Sequence, residues 1–381
     1  MLDMIAKTLY SNKESLYFAL VEIKEKLDEL LPNFDFLIFS FHPKYDYHDI
    51  NYFVNKVFST DKWVGFHAVD SFVNDEIIEG VSVLALKYEK DASINVFFVE
   101  DISDKDSLEK TANYLNSNQD KLHIGIAGIC EEQVDFFIEN LSDLLTYSPV
   151  RNIVGGLSSG YRKNGEVLTF QFLDKKVIKN GFVILTFDKV DFEIGISLGF
   201  KPYGITYEIK KAEGYKLFLV DEEKNFSYIV QNILKGIDNP VVEYLWYIPI
   251  NILDDEDGYV ATLRTIKDIH KDYVEFFGPV KVGQKFKFSF GEKNDILNED
   301  LETALKVKES IRYPDFILNF SCIARQYVLE DKQREENKIY INTLNAPLFG
   351  FFTFGEIGPD KFFKKLKFYN ETSLIVGIKE K

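Results

Sequence analysis

The chain is poor in the residues that anchor disulfides and metals. Its 381 residues include two cysteines, Cys130 and Cys322, far apart and with no CxxC pair. That excludes a disulfide framework and a cysteine zinc site. The five histidines (His42, His48, His67, His123, His270) form neither HxxxH nor HExxH, so the spacing of a zinc enzyme is missing too. No window reaches the roughly 18 uncharged apolar residues of a membrane helix, and the N-terminal MLDMIAKTLYSNKES has no secretory h-region. A cytoplasmic protein with no membrane partner is the expectation. Positive charge is scarce: 45 Lys and Arg stand against 61 Asp and Glu, a formal net charge of −16. An acidic surface repels phosphate backbones, so nucleic acid is not an expected partner. The basic cluster from Lys361 to Lys367 reads as a solvated face.

Apolar side chains make up 46% of the chain, enough for a core, and the length suits two domains. Apolar residues recur every three to four positions over 13–31, which predicts an amphipathic helix. DFLIFSF (35–41) reads as a buried strand and 46–59 as a helix. VSVLALKY and INVFFVE (81–88, 94–100) are β-rich, 103–118 is helical, HIGIAGI (123–129) is a strand, and 131–145 is a helix. NGFVILTF and FEIGISLGF, separated by DKVD, read as a hairpin. A helix is expected over 224–236 and strands near 244–250, 258–264, 272–277 and 285–290. A further helix follows over 296–312, which Asn298 or Asp300 could cap. FILNFS (316–321) is a buried strand running into a single helix, CIARQYVLEDKQREE, and SLIVGIK is a terminal strand.

Several residues stand out. Arg325 follows a strand end, where a guanidinium can hold a carboxylate through two parallel hydrogen bonds. Glu336 lies eleven residues later, on the same face of a continuous helix but roughly 16 Å further along its axis, out of pairing reach. No base stands near Cys322 in sequence, so it reads as a buried structural thiol. VGGLSSG (154–160) lacks the spacing of a phosphate or dinucleotide loop, but Gly155 and Gly156 would let a ligand approach the backbone. Arg264 is a lone cation in an alternating apolar strand, and His67 lies at a strand end. In GFFTFGEIGP (350–359), strand alternation would put Phe352, Phe354 and Glu356 on one side and Thr353, Gly355 and Ile357 on the other.

GFFTFGEIGP is followed ten residues later by FYNETSLIV, and the two together resemble the C-terminal hallmark of the FIST domain family. NIVGGLSSG, ISLGFKPYGITYEIKKAEG and FSCIARQYVL with its downstream Glu336 resemble further family blocks in the same order, so the resemblance spans roughly 35–378. It implies an intracellular sensory module that binds a small ligand, with amino acids suggested, and signals through an output protein, here in trans. Some members bind haem, but Tyr369 stands where the family usually has His, and Gly65-Phe66-His67 where it has a Gly-Cys-Thr-like segment.

Together these readings give a two-domain α/β (α+β) chain with mixed, largely antiparallel sheets flanked by helices. The expected parts are an N-terminal helix (1–34), a FIST N-terminal-like domain (35–215) and a FIST C-terminal-like domain (216–381). An integrated α-β-β-α sandwich is the alternative. The expected function is sensing of an amino acid or small carboxylate, without catalysis and without a required cofactor. A haem-binding gas sensor and a ligand-free interaction scaffold are the alternatives. The expected site combines Arg325, Glu356, Thr353, Phe352, Asn370, Arg264, Gly155 and Gly156.

Overall fold

A computed structural model describes residues 4–128, 133–163, 166–235, 242–253 and 260–381. Cys130 and the Asn164-Gly165 turn signal lie outside the described residues. One order of elements is laid down three times. The first unit runs β1 (Ile5–Ser11), α1 (Leu16–Leu30), β2 (Phe36–Phe41), α2 (Tyr47–Phe58), β3 (Trp63–His67), the hairpin β4 (Ser71–Val73) and β5 (Glu76–Ile78), then β6 (Val81–Lys87). The second repeats this as β7 (Ser93–Val99), α3 (Lys105–Asn116), β8 (Leu122–Ala127), α4 (Val134–Leu144), β9 (Ile153–Leu157), β10 (Gln171–Leu173), β11 (Lys176–Ile178) and β12 (Phe182–Asp188). The third starts with β13 (Val190–Ser197) and is interrupted by an insertion, Lys201 to Phe290, that carries α5 (Phe226–Ile233). It resumes with α6 (Lys293–Ser310), β14 (Phe316–Cys322), α7 (Ile323–Leu329), α8 (Glu335–Leu344), β15 (Leu348–Thr353), β16 (Glu356–Pro359), β17 (Leu366–Tyr369) and β18 (Ser373–Glu380).

Three six-stranded sheets result, in the orders β1-β6-β2-β3-β10-β11, β7-β12-β8-β9-β16-β17 and β13-β18-β14-β15-β4-β5. Each unit lends its hairpin to another unit's sheet, and the three exchanges close a ring. In every sheet the second and third strands of the unit are parallel, joined through helix, and all other neighbours are antiparallel. Hydrogen bonds repeat at equivalent places: His42 N to Gly80 O, Gly128 N to Gly181 O and Cys322 N to Thr372 O, at 2.9, 3.0 and 2.9 Å.

Strand side chains alternate between two buried environments. Phe36 and Ile38 of β2 point to a central core shared by all three sheets, while Leu37, Phe39 and Phe41 pack under α1 and α2. Leu318 and Phe320 of β14, and Leu374 and Val376 of β18, make the same central contact, and Ile317 and Ile375 face α6 and α8. Burial on both faces explains why these strands read as unbroken apolar runs. On α1 the buried positions Leu16, Ala19, Leu20, Ile23 and Leu27 follow the helical period.

The fold is α+β, with three sheets around one core. Several expectations change accordingly. Residues 1–34 are no separate helix: β1 pairs with β6 from Ile5↔Lys87 to Ser11↔Val81. The sheets cross the expected boundary at 215/216: the hairpin β16–β17 completes the sheet of β8 and β9, and β4–β5 that of β14 and β15. β12 and β13 do not form a hairpin but belong to different sheets, with Lys189 at φ 57 between them. The segment near 244–250 is a 3-10 helix, Val242–Tyr247, followed by a strand at Ile250–Leu253. Asp300 does not cap α6, which starts at Lys293; it is buried along the helix. The insertion forms its own antiparallel sheet around Ile209, Phe226, Phe276 and Phe286.

Candidate functional site

GFFTFGEIGP is where the chain leaves one sheet for another. β15 lies in the third sheet and β16 in the second, and Gly355 makes the switch at φ 150. A Cβ there would stand 2.1 Å from the Phe368 ring, so the turn needs glycine. The switch breaks the expected alternation. Phe352 packs edge-on to Phe72, 4.5 Å between centroids, in the layer under α6 and α8. Phe354 packs in the layer of α3 and α4. Thr353 and Glu356, expected on opposite sides, meet across the turn, with Thr353 Oγ1 donating to Glu356 Oε1 at 2.5 Å. Gly155 and Gly156 serve strand packing: a Cβ on Gly155 would strike Gly125 O at 1.8 Å, and one on Gly156 would meet Thr353 Cγ2 at 2.6 Å.

Glu356 is fully buried and also accepts from Thr372 N at 3.3 Å. Burial, and then the neighbouring Glu371, raise its pKa well above the usual carboxylate range, against the pull of these donors. Glu371 is equally buried, in left-handed backbone at φ 56, an unusual conformation for glutamate. Thr265 Oγ1 donates to Glu371 Oε1 at 2.9 Å, while Oε2 has no partner among the described residues. Burial pushes this carboxyl up to about 8. Cys322 lies against both acids, and burial followed by their charges pushes its thiol far up, which leaves no thiolate for nucleophilic chemistry.

Beside this cluster a cavity of about 330 Å³ opens between the three-unit frame and the insertion. Cys322, Ile323 and Ala324 form its base, with Leu157, Phe354, Phe368 and Asn370 from the frame and Trp246, Thr265, Phe276 and Phe277 from the insertion. Asp135, in the first turn of α4, completes the wall with Tyr215, whose hydroxyl donates to Asp135 Oδ2. Asn370 is 2% exposed and its Oδ1 has no partner among the described residues. The same holds for Asp135 Oδ1 and Trp246 Nε1. Burial lifts Asp135 to about 6, with Arg264 and Tyr215 pulling the other way.

Arg264 lies in a neighbouring, charged cavity of about 320 Å³ that shares Asp135 and Phe368 with the first. Two of its three guanidinium nitrogens are bonded to protein acceptors: Nε donates to Pro279 O at 2.9 Å, and Nη1 to Leu263 O at 2.9 Å and Thr262 Oγ1 at 3.0 Å. Arg325 lines neither cavity. The expected long helix ends at Leu329; Glu330 takes φ 48, and α8 starts afresh at Glu335. That break brings Glu336 back to Arg325, overturning the expectation that the two cannot pair: Nη2 to Glu336 Oε2 is 2.8 Å, and to Asp300 Oδ1 2.7 Å. Burial opposes the charge on Arg325, but the two carboxylates outweigh it and its pKa is raised.

The cavity does not fit haem. None of the five histidines lines it, and its one cysteine is held as a thiol. His67 is packed against Phe170 and Phe172 at 5.5 and 5.1 Å, and burial lowers its pKa to about 3. Among the described residues no group of three metal-ligating side chains is assembled, and no helix is long and apolar enough to cross a membrane.

Of the expected residues, Asn370 alone lines the cavity beside the acids; Thr353 and Glu356 stand behind it, and Phe352, Arg325, Gly155 and Gly156 belong to the surrounding structure. Sequence reasoning missed Asp135, Thr265, Trp246 and Glu371. The last was signalled only by adjacency to Asn370 in FYNETS.

Three units with exchanged hairpins form the frame, and the inserted sheet closes a cavity against it. The FIST N domain matches residues 35–223 and the FIST C domain residues 227–359, so the chain belongs to the FIST family. A protein of Aquifex aeolicus (strain VF5), called an uncharacterized protein, is 39% identical over 259 residues, covering 66% of this chain and 96% of that relative. FIST domains are associated with sensory signal transduction.

Proposed function

We propose that this chain is a small-ligand sensor whose ligand occupies the cavity between frame and insertion. One observation carries the reading: a buried amide oxygen, Asn370 Oδ1, stands without a partner at the wall of a largely apolar cavity. A buried acceptor left unmade costs about 1–3 kcal/mol, and a ligand donor removes that cost. The cavity volume suits a small molecule. Because its walls come from both frame and insertion, a bound ligand fixes how the two meet, and that geometry is what an output protein in trans would read. The reading is of a binder and not an enzyme, since burial holds the Cys322 thiol protonated. Of the anchors expected from sequence, Arg325 is committed to two acids, which leaves Asn370 and the Thr265–Glu371 pair in its place.

A thermal-shift screen with amino acids, amines and small carboxylates tests this. A ligand at a hundredfold excess over its Kd raises stability by about 2.7 kcal/mol, and Phe354→Trp, which fills the cavity, abolishes the shift. Absence of any shift across the screen would favour a ligand-free interaction scaffold.

A further inference from the structure

The cavity's polar atoms are not balanced between donors and acceptors. Two buried acceptors, Asn370 Oδ1 and Asp135 Oδ1, have no partner among the described residues, against one donor, Trp246 Nε1. The cation on the wall is already used: Lys267 Nζ donates to Glu275 Oε1 at 2.9 Å. Arg264, in the neighbouring cavity, is bonded to Pro279, Leu263 and Thr262. A carboxylate entering here would find no guanidinium on the wall and the one wall ammonium already paired, and would meet the charge of Asp135 with Glu371 one hydrogen bond behind Thr265. An ammonium group finds the reverse. The surrounding rings, Trp246, Phe277, Phe354 and Phe368, favour it further, since ring faces attract cations.

From this geometry we infer that the ligand is an organic cation, an amine with N–H donors on an apolar or aromatic body, its ammonium held by Asn370 Oδ1 and Asp135 Oδ1. Trp246 Nε1 is left to donate to one acceptor elsewhere on the ligand. The inference rests on the cavity being the sensory site, and it narrows that reading from any small molecule to one charge class. It also departs from the small carboxylate expected from Arg325.

The test is calorimetric titration of the full chain at pH 7.5 with three matched probes: tyramine, 2-(4-hydroxyphenyl)ethanol and 3-(4-hydroxyphenyl)propanoate. Tyramine is expected to bind at least tenfold tighter than the alcohol, with the acid weakest. Asn370→Leu and Asp135→Asn should each weaken tyramine about tenfold or more and leave the alcohol within about threefold, with thermal unfolding confirming that both variants fold. Tightest binding by the acid, or equal binding of all three, overturns the cation class and leaves the cavity reading intact. Failure of all three to bind overturns both.

Discussion

Arg325 sits between Asp300 and Glu336 with none of its side chain exposed, while Glu356 and Glu371, equally buried, have only hydroxyl and amide donors within reach. The first cluster ties α6, α7 and α8 to the third sheet. Ser197 and Tyr340 add donors to Asp300 at 2.5 and 2.9 Å, and Asn319 adds one to Glu336 at 3.1 Å. One guanidinium there serves two acids. The second cluster has no cation of its own; Arg325 acts on it only through space. Buried carboxyls without a counter-charge shift toward the neutral form, and these two lie beside the cavity. The comparison separates two uses of buried acid: a charge-paired cluster that ties helices to a sheet, and a cluster with no cation among its hydrogen-bond partners.

Breaking the first cluster should have the largest effect. Arg325→Met leaves two buried acids without their partner and is expected to cost about 3–5 kcal/mol in urea unfolding at pH 7. The second cluster should respond with the opposite sign. The Glu371 carboxyl is raised in the folded protein, from 4.5 to about 8, so the folded state holds a proton that the unfolded chain has released. Stability therefore falls as pH rises through that window, by up to about 5 kcal/mol at 1.36 kcal/mol per unit. Glu371→Gln should match wild type near pH 4.5 and be the more stable protein at pH 8, with thermal unfolding across pH as the readout.

Smaller effects sharpen the contrast around the opening turn. Gly355→Ala forces a methyl onto the Phe368 ring and should cost about 2–3 kcal/mol. Gly204→Ala, at φ 74 but in open space, should cost about 1 kcal/mol, so a similar loss at both sites in chemical denaturation would argue against the crowded turn. Smallest of all, Asn370→Leu removes an unpaired buried acceptor and should raise stability by about 1 kcal/mol.

Most elements were legible in the sequence because the strands are buried on both faces and the helices keep a 3.6-residue period. Sheet membership was not. β12 and β13 are separated by Lys189 alone and read as a hairpin in sequence, yet each finds its partners far away, in β7 and β18. The threefold plan escaped notice because it lives in pairing order; few residue identities recur, Gly65, Gly155 and Gly350 among them, each beside a parallel partner strand. The Arg325–Glu336 pair was misjudged for one local reason, the positive φ at Glu330 that ends α7. Glu356 and Thr353 stood out in the sequence, but their meeting depends on the sheet switch at Gly355, which strand periodicity does not reveal. Asp135 lies in α4 and Trp246 in the insertion, and the two meet only at the cavity wall.

The most direct measurement is the ionisation of Glu371, followed by carbon NMR of the glutamate side-chain carboxyls and assigned by comparison with Glu371→Gln. A titration near pH 8 is expected in the free protein, shifted downward when the cavity is saturated with tyramine. A Glu371 that titrates near 4.5 in both states would contradict this.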